Sequence, residues 1–292
     1  MLCVDPFHQG LLAFTCGTCL PCRINRRRLW THRILLESFK HAESSFLTLT
    51  YDPDHLPKDG SLDPKHVTDF LKRARKYFEP VRLRYFLCGE YGDQTFRPHY
   101  HLALFGVGPV QLAGPDLVSD PLKSLWGMGY VYAGSLTKES AQYIGGYVTK
   151  KMTAKGDKRL CGRHPEFARM SLKPGIGALA MVDVAKVLMS LTSTVFTSVS
   201  NGDVPTVLQH GQTKWPLGRY LRRKLRLELG FSNAEPRPEA LQKLSEEMRR
   251  LYEEALTASK NPTEAFIKMY SDPQKILNRE AKYKIYNKRG AI

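Results

Sequence analysis

Hydrophobic and polar positions follow two periods along the first 180 residues. From residue 24 to about 41 there is no Gly or Pro, and Trp30, Ile34, Leu35 and Leu36 form an apolar stripe beside Arg26, Arg27, Arg28 and Arg33, which predicts a basic amphipathic helix. Residues 46–51 alternate apolar side chains with Thr and stop at Asp52, Pro53 and Asp54, the pattern of a strand ending in a turn. Asp63 followed by Pro64 is an N-cap signal, and Val67, Phe70, Leu71, Ala74 and Phe78 recur behind it at helical spacing. Residues 82–89 and 99–105 read as two strands joined by a loop containing Gly92 and Pro98, most simply an antiparallel pair. A short strand is predicted over 130–133. A helix capped by Thr137 should then run to about residue 152, with Ser140 standing where a strict capping box has Glu or Gln.

This order implies an α+β fold with a mainly antiparallel central sheet and flanking helices, plus a mostly helical C-terminal region. There is no Gly-rich dinucleotide loop. After about residue 175 the pattern weakens until Leu241, Leu244, Met248, Leu251, Tyr252 and Ala255 mark an amphipathic helix behind a linker at 234–238. Lys282, Lys284, Lys288 and Arg289, interleaved with Tyr283, Ile285 and Tyr286, form either a solvated basic tail or an aromatic-basic contact with DNA. The expected division is a Cys-rich segment at 1–25, a principal domain at 26–180 and an accessory, partly helical basic region at 181–292. Residues 178–199 are the most apolar stretch, but Asp183, Lys186 and many hydroxyl residues interrupt them, so no membrane partner is expected.

Charge adds a partner class. The 44 Lys and Arg outnumber the 28 Asp and Glu, for a net charge of +16, and such a balance attracts polyanions, nucleic acid above all. Cys3, Cys16, Cys19 and Cys22 fall within the first 22 residues, with no apolar run after a basic start, which argues against secretion. These four can supply thiolates for a structural zinc, although the spacing is not one of the strong paired patterns, and free or redox-sensitive thiols remain open. Cys88 and Cys161 read as packing residues.

Strand alternation puts His99 and His101 on one face and Tyr100, Leu102 and Leu104 on the other. If the hairpin pairs Glu90 with His99, the carboxylate joins the two imidazoles, and such a set leaves positions open for phosphate oxygens on a catalytic divalent ion. An isolated His-x-His is equally a polar strand face. Tyr143 and Tyr147, four apart on a helix, project from one side about a turn apart, with Lys150 on that side. A phenol with an ordinary pKa near 10 is a weak nucleophile at neutral pH, so a nearby Lys and a metal-polarised phosphate would both favour its attack. Gly145 and Gly146 each cost about 1 kcal/mol in a helix interior, consistent with close backbone approach to the sheet or to DNA, or with a kink.

In this order the motifs resemble those of the replication initiators of gokushovirus-like microviruses, small single-stranded DNA phages within the HUH endonuclease superfamily. The resemblance rests on residues 46–52, on Gly89 to Gly92 followed by Arg97, Pro98, His99, Tyr100 and His101, and on Tyr143 to Lys150. Residues 16–23, 166–171 and 174–177 are also similar, so it covers roughly 1–180. It implies that His99, His101 and Glu90 bind Mg or Mn, that Tyr147 and Tyr143 are the nucleophiles, and that Lys150 positions or neutralises the scissile phosphate. It implies a nick in single-stranded DNA at an origin, leaving a 5′-phosphotyrosine and a free 3′-hydroxyl for rolling-circle replication in the cytoplasm of an infected bacterium. No Walker-type loop is present, so unwinding and synthesis would fall to a host helicase and polymerase. Two rivals stand beside this reading. One is a transposase-like strand transferase of the same superfamily, with the same motif order. The other is a noncatalytic DNA-binding or packaging protein using residues such as Arg26 to Arg28 and Arg222 to Lys224 with aromatic stacking; it accounts for the charge but not for the ordered constellation.

Overall fold

A computed structural model describes residues 3–9, 12–109, 121–147, 156–191, 203–232, 234–258, 260–261 and 273–288. In chain order the elements used below are β1 (Phe7–Gln9), β2 (Leu12–Phe14), α1 (Leu20–Ser38), β3 (Ser44–Tyr51), α2 (Pro64–Tyr77), β4 (Arg84–Tyr91) and β5 (Pro98–Phe105). Then come α3 (Pro121–Trp126), β6 (Gly129–Ser135), α4 (Lys138–Tyr147), β7 (Phe167–Met170), α5 (Met181–Ser190), β8 (Val207–His210), β9 (Thr213–Pro216), α6 (Gly218–Glu228), α7 (Pro238–Ala258) and α8 (Pro273–Lys288). The chain divides into two compact units, residues 27–180 and residues 1–26 with 181–292. The fold is α+β, with helices flanking an antiparallel sheet and a largely helical C-terminal region.

In the 27–180 unit the described sheet has five strands in the order β6-β3-β5-β4-β7, and every neighbouring pair is antiparallel. One face carries Leu47, Leu49, Tyr51, Leu87, Tyr100, Leu102 and Leu104, buried against Val67, Phe70, Leu71 and Ala74 of α2 and Trp126 of α3. The other carries Phe86, Cys88, Ala103 and Phe105, buried against Ile34 of α1 and Ala141 and Ile144 of α4. The two-residue period therefore builds two cores from one sheet. Phenols in the α2-side core are satisfied locally. Tyr51 Oη lies 2.8 Å from Tyr100 Oη and 2.9 Å from His66 Nδ1, and Tyr100 Oη also takes the Asp63 N–H at 2.9 Å. Burial pushes the Tyr100 phenol up to about 12 and that of Tyr51 higher still.

The caps follow the sequence. Asp63 accepts from the Lys65 N–H at 2.7 Å with Pro64 as the first helical residue. At the start of α4 the Thr137 hydroxyl accepts from the Ser140 N–H at 3.2 Å while the Ser140 hydroxyl accepts from the Thr137 N–H at 2.8 Å. Ser140 thus completes the reciprocal box that normally takes Glu or Gln. Helix α1 begins four residues before the expected start and ends at Ser38, three short of the expected end.

A buried ion pair ties the sheet to the chain that follows β7. Glu37 and Arg84 are both buried and hydrogen-bonded, Glu37 Oε2 accepts the Gly177 N–H at 2.7 Å, and Arg84 donates to the Pro174 carbonyl at 2.7 Å. Burial opposes ionisation of Glu37, but the bonds from His41, Arg84 and Gly177 outweigh it and hold its carboxyl below the usual range.

Residues 1–26 and 181–292 contain the β1–β2 hairpin, the β8–β9 hairpin and the helices α5 to α8. Asp203 accepts a two-oxygen clamp from Arg226 at 2.7 Å on each side and a further bond from Arg222. Helix α7 buries Met248 and Ala255 but leaves Leu241 and Leu244 exposed. Neither hairpin was expected, nor were α5 and α6. The stretch expected as a basic tail is helical over 273–288. Cys161 is exposed at the end of a 3-10 turn rather than packed, whereas Cys88 is buried. No helix among the described residues is long and apolar enough to cross a membrane.

Replacing Glu37 by Gln would leave the Arg84 charge buried without a counter-ion. The expected cost is about 3–5 kcal/mol in urea unfolding, and a loss below about 1 kcal/mol would remove the pair from the stability account. Because the folded-state pKa is depressed, this contribution is complete above the ordinary Glu value near 4.5 and is lost as pH falls through the folded value. The Gln variant should therefore show a flatter stability profile below pH 4.5 than the parent.

Candidate metal and tyrosine site

The site starts from the pairing of β4 with β5. Glu90 sits directly opposite His99, and Cys88 opposite His101. On the other side of β5, Thr50 pairs with His99 and Thr48 with His101. The register thus meets the condition under which Glu90 joins the two histidines, and it leaves Tyr100, Leu102 and Leu104 in the opposite core. His99 Nε2 is 2.7 Å and His101 Nε2 3.2 Å from the same oxygen, Glu90 Oε1. The candidate ligand atoms of the three residues all lie within 4.8 Å of one another, and Glu90 and His101 are buried.

The far nitrogens explain the aim of the rings. His99 Nδ1–H donates to the Arg97 carbonyl at 3.0 Å, and His101 Nδ1 is hydrogen-bonded with the Thr48 hydroxyl at 2.9 Å. Both rings therefore present Nε2 to the carboxylate, and partners on the far nitrogen are what orient metal-binding imidazoles. One carboxylate oxygen facing two imidazole nitrogens needs positive charge between them, as protons or as a cation, and two nitrogens with one carboxylate suit a divalent ion with open positions. The residues present fit such an ion.

Helix α4 lays its tyrosines over this cluster. Ala141, Ile144 and Gly145 form its buried stripe. On the adjoining stripe, Tyr143 Oη is 3.4 Å from His101 Nε2 and the Tyr147 ring stacks on the His101 ring at 5.2 Å and 10°. The two phenol rings meet edge to face at 4.8 Å. Burial, then the charge of Glu90 and hydrogen bonding with Tyr143, push the Tyr147 phenol well above its ordinary range. Lys150 lies outside the described residues, as does the continuation of the helix beyond Tyr147.

The glycines act against α1, not the sheet. A Cβ on Gly145 would meet Thr31 N at 3.1 Å and the Arg27 carbonyl at 3.3 Å, both backbone atoms of α1. Arg27 Nε also donates to the Gln142 carbonyl at 2.9 Å. α4 is thereby held close to α1, with Tyr143 one residue beyond the anchored carbonyl. Thr48, the Arg97 carbonyl, Arg27 and Thr31 were not singled out in the sequence, although the period that aligns His99 with His101 also aligns Thr48 with Thr50.

In the unit of residues 1–26 and 181–292, Cys3, Cys16, Cys19 and Cys22 bring their Sγ atoms within 4.8 Å of one another. Cys16 and Cys22 are 3.9 Å apart and Cys3 and Cys19 4.0 Å. Backbone N–H groups of Val4, Cys16 and Cys19 point at the sulfurs of Cys19, Cys3 and Cys16. Bonds from the Thr18 hydroxyl and the Cys19 N–H bring the Cys16 thiol down to about 5, whereas burial pushes Cys3 and Cys22 up. Two clusters capable of holding metal are thus present among the described residues.

Comparison with known proteins agrees with this architecture. Residues 44–152, from the start of β3 to just past the tyrosine helix, match the family model of the replication-associated protein ORF2 type. The chain is 32% identical over 211 residues to replication-associated protein VP4 of Bdellovibrio phage phiMH2K, covering 68% of this chain and 66% of the relative. It is 34% identical over 179 residues to replication-associated protein ORF2 of Spiroplasma virus 4, covering 56% and 55%, and 34% over 166 residues to replication-associated protein ORF4 of Chlamydia phage 1, covering 51% and 41%. The chain belongs to this family of phage replication-associated proteins. The matched stretches span less than two thirds of each relative's length. No solved structure matches the chain.

Thr48→Val removes the partner of His101 Nδ1 while preserving strand shape. Calorimetric titration with Mn should show roughly 10- to 100-fold weaker binding at little cost to unfolding stability; unchanged affinity would mean that Thr48 does not orient the ring.

Proposed function

We propose that this protein initiates phage DNA replication by nicking single-stranded DNA at an origin through tyrosine attack. The observation that carries the reading is convergence: the Tyr143 hydroxyl stands at the same His101 nitrogen that faces Glu90, with Tyr147 stacked on that ring. Family membership supports a replication role, and the +16 charge supports a polyanionic substrate. Glu90, His99 and His101 would hold Mg or Mn, which when bound would polarise a phosphate oxygen and offset its charge. One phenol oxygen bonds to phosphorus and its proton passes to solvent. The P–O3′ bond breaks, and the departing 3′ oxygen takes up a proton. The products are a 5′-phosphotyrosine and a free 3′-hydroxyl, so the phosphodiester bond energy is kept for a later rejoining by the second tyrosine. Lys150 would neutralise the phosphate. Host helicase and polymerase would extend the 3′ end in the cytoplasm of the infected bacterium.

For the cysteine cluster we propose a structural zinc. A tetrahedral ion with bonds of about 2.3 Å sets its sulfurs roughly 3.8 Å apart, close to the 3.9 and 4.0 Å separations and far beyond disulfide length. Elemental analysis of the purified protein should give one zinc per chain, falling at least fivefold in Cys16→Ser/Cys19→Ser; a parent without zinc would turn the cluster back into free thiols.

The nicking reading is tested by incubating the protein with Mn and labelled single-stranded fragments of its own genome, then denaturing. The expected result is a covalent adduct, abolished by EDTA, by His99→Ala and by Tyr143→Phe/Tyr147→Phe, with the single Phe variants showing which hydroxyl acts first. DNA binding without adduct or cleavage across all fragments would favour the noncatalytic alternative.

A further inference from the structure

We propose that Tyr130 and Tyr132 form a base-stacking strip that receives unpaired DNA bases and leads the strand to the tyrosine and histidine cluster. The argument begins with register. Thr50 pairs with His99 on one side and Tyr130 on the other, and Thr48 pairs likewise with His101 and Tyr132. Residues opposite one another in a sheet share a face, so Glu90, His99, Thr50 and Tyr130 form one cross-strand row, and Cys88, His101, Thr48 and Tyr132 the next.

The far ends of those rows differ sharply from the near ends. Glu90 and His101 are buried, whereas Tyr130 and Tyr132 are each 62% exposed. They sit on β6, which ends the described sheet. Two large aromatic rings exposed on an edge strand are an association liability unless something covers them. Two residues along a strand, their rings stand about 7 Å apart.

Aromatic contacts connect this strip to the candidate nucleophiles. The Tyr132 ring meets Phe46 at 6.3 Å, Phe46 meets Tyr143 at 6.0 Å and His101 at 5.7 Å, and Tyr143 meets Tyr147 at 4.8 Å. A strand lying along the rows would thus meet aromatic faces from the sheet edge up to His101.

The occupant that fits is single-stranded DNA. The chain's +16 charge suits a polyanion, and an exposed phenol ring offers a base its π-face whatever the sequence. Duplex bases are already stacked on their neighbours and have no face to offer. This inference rests on the nicking reading only for what happens after the strand arrives.

Binding without chemistry is therefore the test. Fluorescence anisotropy with a labelled mixed-sequence oligonucleotide, in EDTA and in a Tyr143→Phe/Tyr147→Phe background, compares Tyr130→Ala/Tyr132→Ala and Tyr130→Phe/Tyr132→Phe. The Ala pair should weaken single-strand binding at least about tenfold, with duplex binding changed less than twofold, and the Phe pair should bind within about twofold of its background. Thermal melts confirm that each variant is folded, and the Phe pair, which keeps both rings, guards against a folding defect in the Ala pair. Single-strand affinity unchanged in a folded Ala pair would overturn the strip, as would a Phe pair as weak as the Ala pair or an equal loss on duplex. Since no nick is needed, a missing adduct with the Ala effect intact would remove the nicking reading and leave this one standing.

Discussion

Everything at the site depends on the parity of β5. It pairs along its length with β3 on one side and β4 on the other, so neither neighbour can shift without breaking the second ladder. A slip of one residue would drive Tyr100, Leu102 and Leu104 out of their core and send His99 and His101 into it. The hydrophobic cost of exposing three large side chains is what keeps two imidazoles aimed at one carboxylate. The turn is fixed as well: the Gly92 N–H bonds to the Arg97 carbonyl at 3.1 Å and the Phe96 N–H to the Gly92 carbonyl at 2.9 Å. The Arg97 carbonyl then takes His99 Nδ1–H, so the loop that closes the hairpin also orients one of its histidines.

The second half of the site arrives on a helix, which by itself could rotate or slide. It is held by a cap at Thr137 and Ser140, by the buried stripe of Ala141, Ile144 and Gly145, and by the bond from Arg27 to the Gln142 carbonyl. Gly145 is what permits the closeness, since any side chain there meets backbone that cannot turn aside. The cost of glycine within a helix, about 1 kcal/mol, is offset by a fixed distance between the tyrosines and the sheet.

Much of this was legible because it is periodic. The alternation over 99–105 separated histidines from core residues, and the four-residue spacing of Tyr143 and Tyr147 placed both over one spot. The sheet order and the third dimension were not legible. That α1, rather than the sheet or DNA, receives Gly145 depends on how two helices share a face, which no local pattern encodes. Thr48 was visible as a strand residue, yet its role required knowing that β3, not β6, lies beside β5. The hairpins and helices after residue 180 escaped because short strands and an irregular apolar stripe leave weak periodicity. Ser140 was read as a departure from the capping box, and the structure shows a hydroxyl serving the same purpose at shorter reach.

Tyrosine has three jobs here, divided by position on one sheet. On the α2 side, Tyr51, Tyr91 and Tyr100 are buried with their hydroxyls bonded to each other or to backbone, as a phenol in a core must be. On the opposite face, Tyr143 and Tyr147 are held against the imidazole of His101, with the Tyr143 hydroxyl turned toward its nitrogen. At the edge of that same face, Tyr130 and Tyr132 keep their rings in solvent. Sequence composition counts all of these alike, and spacing along the chain separates only some. Face and edge separate the rest: a phenol in the core stabilises, one beside a carboxylate and two imidazoles is placed where a phosphate could be reached, and one on an open edge can only act by being covered.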